Sequence, residues 1–311
     1  MSKKQGLLTL FTPEGEEWQS GKGARIPWQV YPRPHLKRDS FVCLNGAWEL
    51  AVTDKQGRGG DQWETVCVPF VPESPLSGIG RPLPEGATLH YRRTFSLPCG
   101  FLRDRVILHV DAADQMAEVL VNGTSVGAHW GGYERFSFDV TDLLQEENRL
   151  EILVRDELES GVLPYGKQKK KRGGMWYTPV SGIWQTVWLE SVPARYIQEI
   201  LLRPDLTGVV LEAKCNDGTP CEGRVLLSEE GGDTVWYLTN GVARIEPSQP
   251  RCWTPESPHL YEIRIEAGKD SVESYFALRT LTTEVVEGIP RLCLNGKPYF
   301  FHGLLDLCCS R

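Results

Sequence analysis

Asn122-Gly123 stands between two short strand-like runs, residues 118–121 and 124–127. Asn-Gly in that setting is the strongest short-range hairpin signal, because both central residues of a type I′ turn need positive φ. The same grammar recurs along the chain. Residues 105–110 read as another strand, 136–140 alternate apolar and polar, and 150–155 puts Leu150, Ile152 and Val154 on one face. Residues 183–189 are apolar on both faces, which suits a strand covered on both sides. Thr141-Asp142-Leu143-Leu144 predicts a single capped turn. No helical period of 3.6 persists beyond about two turns. Strands at this spacing, with turn residues between them, predict an all-β chain of β-sandwiches.

The 311 residues suggest two domains at about 150 residues each. Val192-Pro193 marks a boundary. Beyond it the pattern predicts strands at 197–202, 209–213, 224–227, 234–238, 242–245, 261–265 and 274–278, the count of an immunoglobulin-like sandwich. From Glu287 a third piece begins. Leu292-Cys293-Leu294, Asn295-Gly296 and Tyr299-Phe300-Phe301 predict one more hairpin.

Composition excludes several classes. The chain holds 34 Lys and Arg against 41 Asp and Glu, a net charge of −7, which argues against a nucleic-acid binder. No run approaches the length of a membrane-spanning helix. The N-terminal apolar run Leu7–Phe11 is too short for a signal-peptide core, so the expectation is a cytoplasmic protein. Nine cysteines, none in C-x-x-C and none with His at zinc spacing, read as buried thiols with no metal site. Asn122-Gly123-Thr124 fits the glycosylation sequon but reads as a turn. No phosphate-binding glycine loop, G-x-S-x-G motif or cofactor signature is present.

The ordered motifs carry a resemblance. Leu44-Asn45-Gly46-Ala47-Trp48, Val68-Pro69, Tyr91-Arg92-Arg93-Thr94-Phe95, Val119-Leu120-Val121-Asn122-Gly123 and Ser181-Gly182-Ile183-Trp184 follow one another. Trp253-Thr254-Pro255-Glu256-Ser257-Pro258-His259-Leu260-Tyr261, Phe276-Ala277-Leu278-Arg279 and Leu294-Asn295-Gly296-Lys297-Pro298 complete the series. Together they resemble the N-terminal half of glycoside hydrolase family 2, which includes β-galactosidases, β-glucuronidases and β-mannosidases. The resemblance implies a jelly-roll sugar-binding domain, an immunoglobulin-like domain and then a catalytic TIM barrel. A barrel takes roughly 250 residues, and eight remain after Gly303. The expected organisation is therefore an N-terminal extension (1–32), a jelly roll (33–193), an immunoglobulin-like sandwich (194–285) and a truncated barrel entry (286–311). The resemblance also implies a retaining mechanism with two Glu on barrel strands. Neither falls within this sequence, so no catalytic residue is assigned.

The stretch 166–178 is the candidate contact for a β-glycoside. In the resembling family, the segment before Ser-Gly-Ile-Trp reaches toward the sugar. Trp176 and Tyr177 offer ring faces for stacking, and Lys167 and Gln168 offer donors to hydroxyls. The alternative is that Trp176 and Tyr177 pack between domains. Lys169-Lys170-Lys171-Arg172 reads as a solvated loop. Trp184 and Trp188, at i and i+4 of one predicted strand, share a face and read as core. Trp48, Trp130 and Trp253 also read as core, with Trp130 alternatively lining a groove. The scattered histidines read as structural. Three functions follow: the non-catalytic part of a family 2 glycosidase, inactive alone; a stand-alone carbohydrate-binding module; or an interaction protein docking the missing barrel or another chain through its barrel-facing surface.

Overall fold

A computed structural model describes residues 26–159, 162–230 and 232–303, together with the backbone of two short paired strands, Thr9–Phe11 and Glu17–Gln19. Cys308-Cys309 and the tail after Gly303 lie outside the described residues. Regular structure is almost entirely antiparallel strand, with three single-turn 3₁₀ segments, as the periodicity requires. None of the described helices is long and apolar enough to cross a membrane.

The chain divides into two compact units. Of the described residues, one gathers Ser40–Ser191 with Ile26–Val30, and the other gathers Tyr31–Asp39 with Val192–Gly303.

In the first unit a six-stranded sheet runs in the order Thr124–Trp130, Met116–Val121, Asn148–Arg155, Thr88–Phe95, Gly46–Thr53, Glu64–Val68. A four-stranded sheet runs Phe136–Asp139, Arg105–Val110, Val187–Val192, Phe41–Cys43. Leu50, Tyr91, Val119, Ile152, Leu108 and Leu189 belong to one buried cluster. Each large apolar side chain buried there contributes about 1.5–3 kcal/mol. The Asn122-Gly123 hairpin forms as predicted, with φ of 52° and 81°. The Asn122 amide is committed to the fold: Nδ2 donates to Leu143 O at 2.7 Å, and Oδ1 accepts from Arg149 N at 2.8 Å. Asn45-Gly46 is different, because it sits inside the unit rather than at a hairpin tip. Asn45 Oδ1 accepts from Val187 N, and Arg93 Nη1 reaches the carbonyls of Leu44 and Asn45.

Three expectations change here. Trp184 and Trp188 do not share a strand. The first segment, Gly182–Ile183, pairs with Ala113–Asp114, and Val187–Val192 then joins the four-stranded sheet. Both indoles still pack: Trp188 is fully buried and donates to Asp111, and Trp184 donates to Gly132 O. Trp130 is not core; it is 74% exposed at the end of its strand. Trp253 is half-buried beneath the Arg279 guanidinium, 5.1 Å from the ring centroid.

In the second unit a sheet of Ile197–Pro204, Val209–Cys215 and Val242–Ile245 contributes to one core with a sheet of Gly232–Leu238, Gly223–Glu229, Tyr261–Ala267 and Asp270–Phe276. The last of these strands starts and ends earlier than the predicted 274–278. Asp270 is drawn inside by a buried ion pair with Arg38, and buried and exposed residues then alternate strictly to Phe276. Leu281–Val286, Ile289–Leu294 and Lys297–Pro298 form a separate three-stranded sheet. Tyr299-Phe300-Phe301 adds no strand to it. The first of these pairings, Leu281 with Leu294, spans the position drawn as a boundary at 285/286.

Candidate functional site

The four residues singled out for sugar contact lie in a small loop fold of the first unit. Tyr177 N donates to Lys167 O at 2.8 Å and Lys169 N to Tyr177 O at 3.1 Å, so residues 167–169 run beside 176–177. Lys167 and Tyr177 are exposed, and Trp176 is half-buried with the Lys169 ammonium 4.1 Å from its ring centroid. Gln168 is corrected: it is 3% exposed and its Oε1 accepts from Val180 N at 2.7 Å. Its amide braces the loop and is withdrawn from the contact set. The basic run is partly tied down, with Lys170 paired to Glu85 and Arg172 donating to Thr178.

Beside this loop lies a feature that sequence reading missed: three acidic side chains held together under the surface. Asp114 and Asp156 are each 4% exposed and Glu73 is half-buried. They come from separate parts of the unit. Asp114 ends the short strand Ala113–Asp114, Asp156 follows the strand Asn148–Arg155, and Glu73 lies after the strand Glu64–Val68. Glu73 Oε1 accepts from Ser181 Oγ at 2.7 Å and Oε2 from Ser181 N at 3.3 Å. Asp156 Oδ1 accepts from Leu158 N at 2.6 Å. Asp114 Oδ1 finds no donor among the described residues. Burial is the first cause of raised pKa values in all three, at about 8 for Asp114, 7 for Glu73 and 6 for Asp156. Asp114 is raised further by the charges of Asp156 and Glu73, and mutual repulsion of this kind keeps protons bound.

Two glycines make this packing geometrically feasible. Gly182, at φ +83°, would set a Cβ 2.2 Å from the Tyr91 hydroxyl. That accounts for Gly in Ser181-Gly182-Ile183-Trp184: both the left-handed backbone and the close approach require it. Gly132 would set a Cβ 2.4 Å from Asp114 Oδ1. Gly132→Ala should therefore displace the Asp114 carboxyl and destabilise the first unit by about 1–3 kcal/mol. Urea unfolding followed by Trp fluorescence measures this; an unchanged midpoint would show that the carboxyl moves aside freely.

The cluster cannot act as a retaining glycosidase pair as it stands. Retention needs two carboxyl groups about 5–5.5 Å apart on either side of a scissile bond. Here Asp114 and Asp156 are buried, and Glu73 is engaged by Ser181. A surface hollow of the second unit is lined by Glu222 and Glu266 among others. It is open to solvent, and Glu266 is held by Arg224 at 2.7 Å. Among the described residues no group of three or more His, Cys, Asp or Glu side chains, the three acids above included, is arranged to hold a metal ion.

A signal for the missed cluster was present. Asp114, with Gln115, interrupts an otherwise small and apolar run, Ala112-Ala113 and Met116-Ala117, in which an acid is out of place unless its surroundings are built for it.

Comparison with known proteins fits this architecture. Residues 85–182 match the family model described as "Glycosyl hydrolase 2 galactose-binding domain-like". A β-glucuronidase of Paenibacillus borealis is 25% identical over 303 residues, covering 88% of this chain and 50% of the relative. A β-galactosidase of Arthrobacter sp. is also 25% identical, covering 85% of this chain and 24% of the relative. Among solved structures, a Faecalibacterium prausnitzii β-glucuronidase superposes with a TM-score of 0.68 at 21% identity, over 88% of this chain and 51% of that one. A family 2 β-galacturonidase from Eisenbergiella tayi bound to glycerol gives 0.64 at 20% identity, over 85% and 46%. The matched residues lie within the β-sandwich of the first unit. The chain is similar to the N-terminal part of these family 2 enzymes, and it spans about half the length of the curated glucuronidases it matches.

Proposed function

We propose that this chain is the non-catalytic N-terminal portion of a family 2 retaining glycoside hydrolase acting on β-linked glycosides, without turnover of its own. The observation that carries the reading is the span of the match: about half of the β-glucuronidase relatives, over both sandwiches. On this reading the jelly roll and the immunoglobulin-like sandwich follow one another as drawn from the sequence, except that residues 33–39 join the second unit, and the sheet that begins at Leu281 leads toward the barrel.

That sheet supports the reading. Leu281, Val285 and Leu292 lie on one face by pleat and register, and they are 63%, 73% and 60% exposed. Phe300 and Phe301 are exposed just beyond. An apolar group of this kind suits a docking surface, and the occupant proposed is the catalytic barrel. Lys167, Trp176 and Tyr177 are the residues proposed to face the glycoside.

The purified chain should give no turnover of aryl β-glucuronides or β-galactosides above blank, since both carboxylates of a reaction worth 10⁶-fold or more in rate would be lacking. Activity that co-purifies with the chain through two unrelated columns would overturn the reading. Exposed Tyr177 beside Trp176 favours a second reading, glycan binding without catalysis. Calorimetry against β-linked oligosaccharides should then show saturable binding that weakens in Trp176→Ala, and silence across the panel would remove it.

A further inference from the structure

The strand Val209–Cys215 ends in a tight turn, and Cys221 returns alongside it. Cys215 N donates to Thr219 O at 2.9 Å and Cys221 N to Ala213 O at 3.0 Å, with Lys214 bridging Pro220 between them. Cys215 and Cys221 therefore occupy diagonal positions on one face of a ladder. Both belong to the core of the second unit, at 2% and 0% exposure. Their sulfur atoms are 2.7 Å apart, well inside the contact distance of two sulfurs that share no bond.

The turn that joins them is held from outside. Gly218 takes a φ of +77°, and Asp217 Oδ1 accepts from Thr219 N at 3.0 Å. The Arg195 guanidinium spans Asp217 Oδ2, Thr219 Oγ1 and Pro220 O. Both backbone anchors are thus fixed with the thiols in contact, and bond formation needs only a further short approach of the two sulfur atoms. Burial pushes the Cys221 thiol up, while the nearby Arg195 charge works in the opposite direction.

We infer that Cys215 and Cys221 are a disulfide-forming pair, closed by exchange with a small-molecule disulfide of the glutathione class. One protein thiolate attacks the small disulfide and expels the first small thiol. The other thiolate attacks the resulting mixed disulfide and expels the second. The protein gives up two electrons and two protons, and the small disulfide is reduced to two thiols. Because the thiolate is the attacking species and the pair is buried, closure should be slow at neutral pH and faster at alkaline pH.

Trypsin makes the test direct, because Lys214 and Arg224 bracket both cysteines in one peptide, residues 215–224. The reduced full chain is incubated with oxidised glutathione at alkaline pH, in buffer, in urea below the unfolding midpoint and in full denaturant. It is then blocked with N-ethylmaleimide in full denaturant and digested. The expected product is an unlabelled 215–224 peptide two hydrogen masses lighter than its reduced form, with both labels returning after reduction. In Cys221→Ser this light peptide should vanish. Three outcomes overturn the inference: both cysteines labelled in the native sequence, one cysteine left carrying glutathione as the end state, or closure seen only in fully unfolded chain.

Discussion

Arg38→Met should destabilise the second unit by about 3–5 kcal/mol, the range for removing one partner of a buried ion pair. The Arg38 and Asp270 side chains are both 0% exposed. Arg38 Nε donates to Asp270 Oδ1 at 3.0 Å, and Nη2 donates to Oδ2 at 2.8 Å and to Ile197 O at 2.6 Å. Ile197 N closes the arrangement on Oδ2 at 2.8 Å. The methionine variant leaves a buried carboxylate without its counter-charge and a carbonyl without its donor. The double variant Arg38→Met/Asp270→Leu should recover most of the loss, since both desolvation penalties leave with the charges. Denaturant midpoints of the three chains decide it. A single-variant loss below about 1 kcal/mol, the size of an exposed pair, would mean that the pair is not sealed from water.

The second large effect is on pH. Asp114, Glu73 and Asp156 have pKa values raised to about 8, 7 and 6 in the folded chain. Unfolded carboxyls titrate near 4. Between roughly pH 4 and 8 the folded state therefore holds more protons than the unfolded state, and stability falls as pH rises through that window. The stabilising contribution of the neutral acids is complete below about pH 4 and lost above about pH 8. The loss should be on the order of a few kcal/mol, because each unit of pKa difference is about 1.4 kcal/mol and the three groups titrate as a coupled set. Asp114→Asn keeps the shape and removes the group raised furthest. Its unfolding midpoint should change much less between pH 5 and 9, and at pH 9 it should exceed that of the native chain. A native profile that is flat from pH 5 to 9 would mean that the cluster is wetter than its burial implies.

Much of the fold was legible because its signals are local. The Asn122-Gly123 turn and the alternation from Leu150 to Val154 need only neighbouring residues, and both formed as read. The single turn at Thr141–Leu143 formed too. Features that depend on distant partners were not legible. Nothing near Asp270 announces that Arg38 will neutralise it, so the local pattern alone places the start of that strand after Asp270. Trp184 and Trp188 looked like one strand because periodicity cannot show where a segment changes partners. Trp130 looked like core because an aromatic at a strand end has no local mark of exposure. The acid cluster joins Glu73, Asp114 and Asp156 from three separate stretches, and only the misfit of Asp114 in its apolar run hinted at it. Gln168 illustrates the same limit on a smaller scale. Its side chain suited a sugar hydroxyl, but Val180 N–H, twelve positions away, had already engaged it.

Tyr31–Asp39 completes the second unit although it precedes the first sandwich in the chain. Arg38 and Asp270 are 232 positions apart. At about 5–20 residues per second on the ribosome, Arg38 leaves the exit tunnel on the order of 10–50 s before its partner is made. The whole first sandwich is synthesised during that interval. A nascent chain of this protein must keep its leading segment from being captured until the later strands arrive, so folding of the second unit is set by the order of translation as well as by its own contacts.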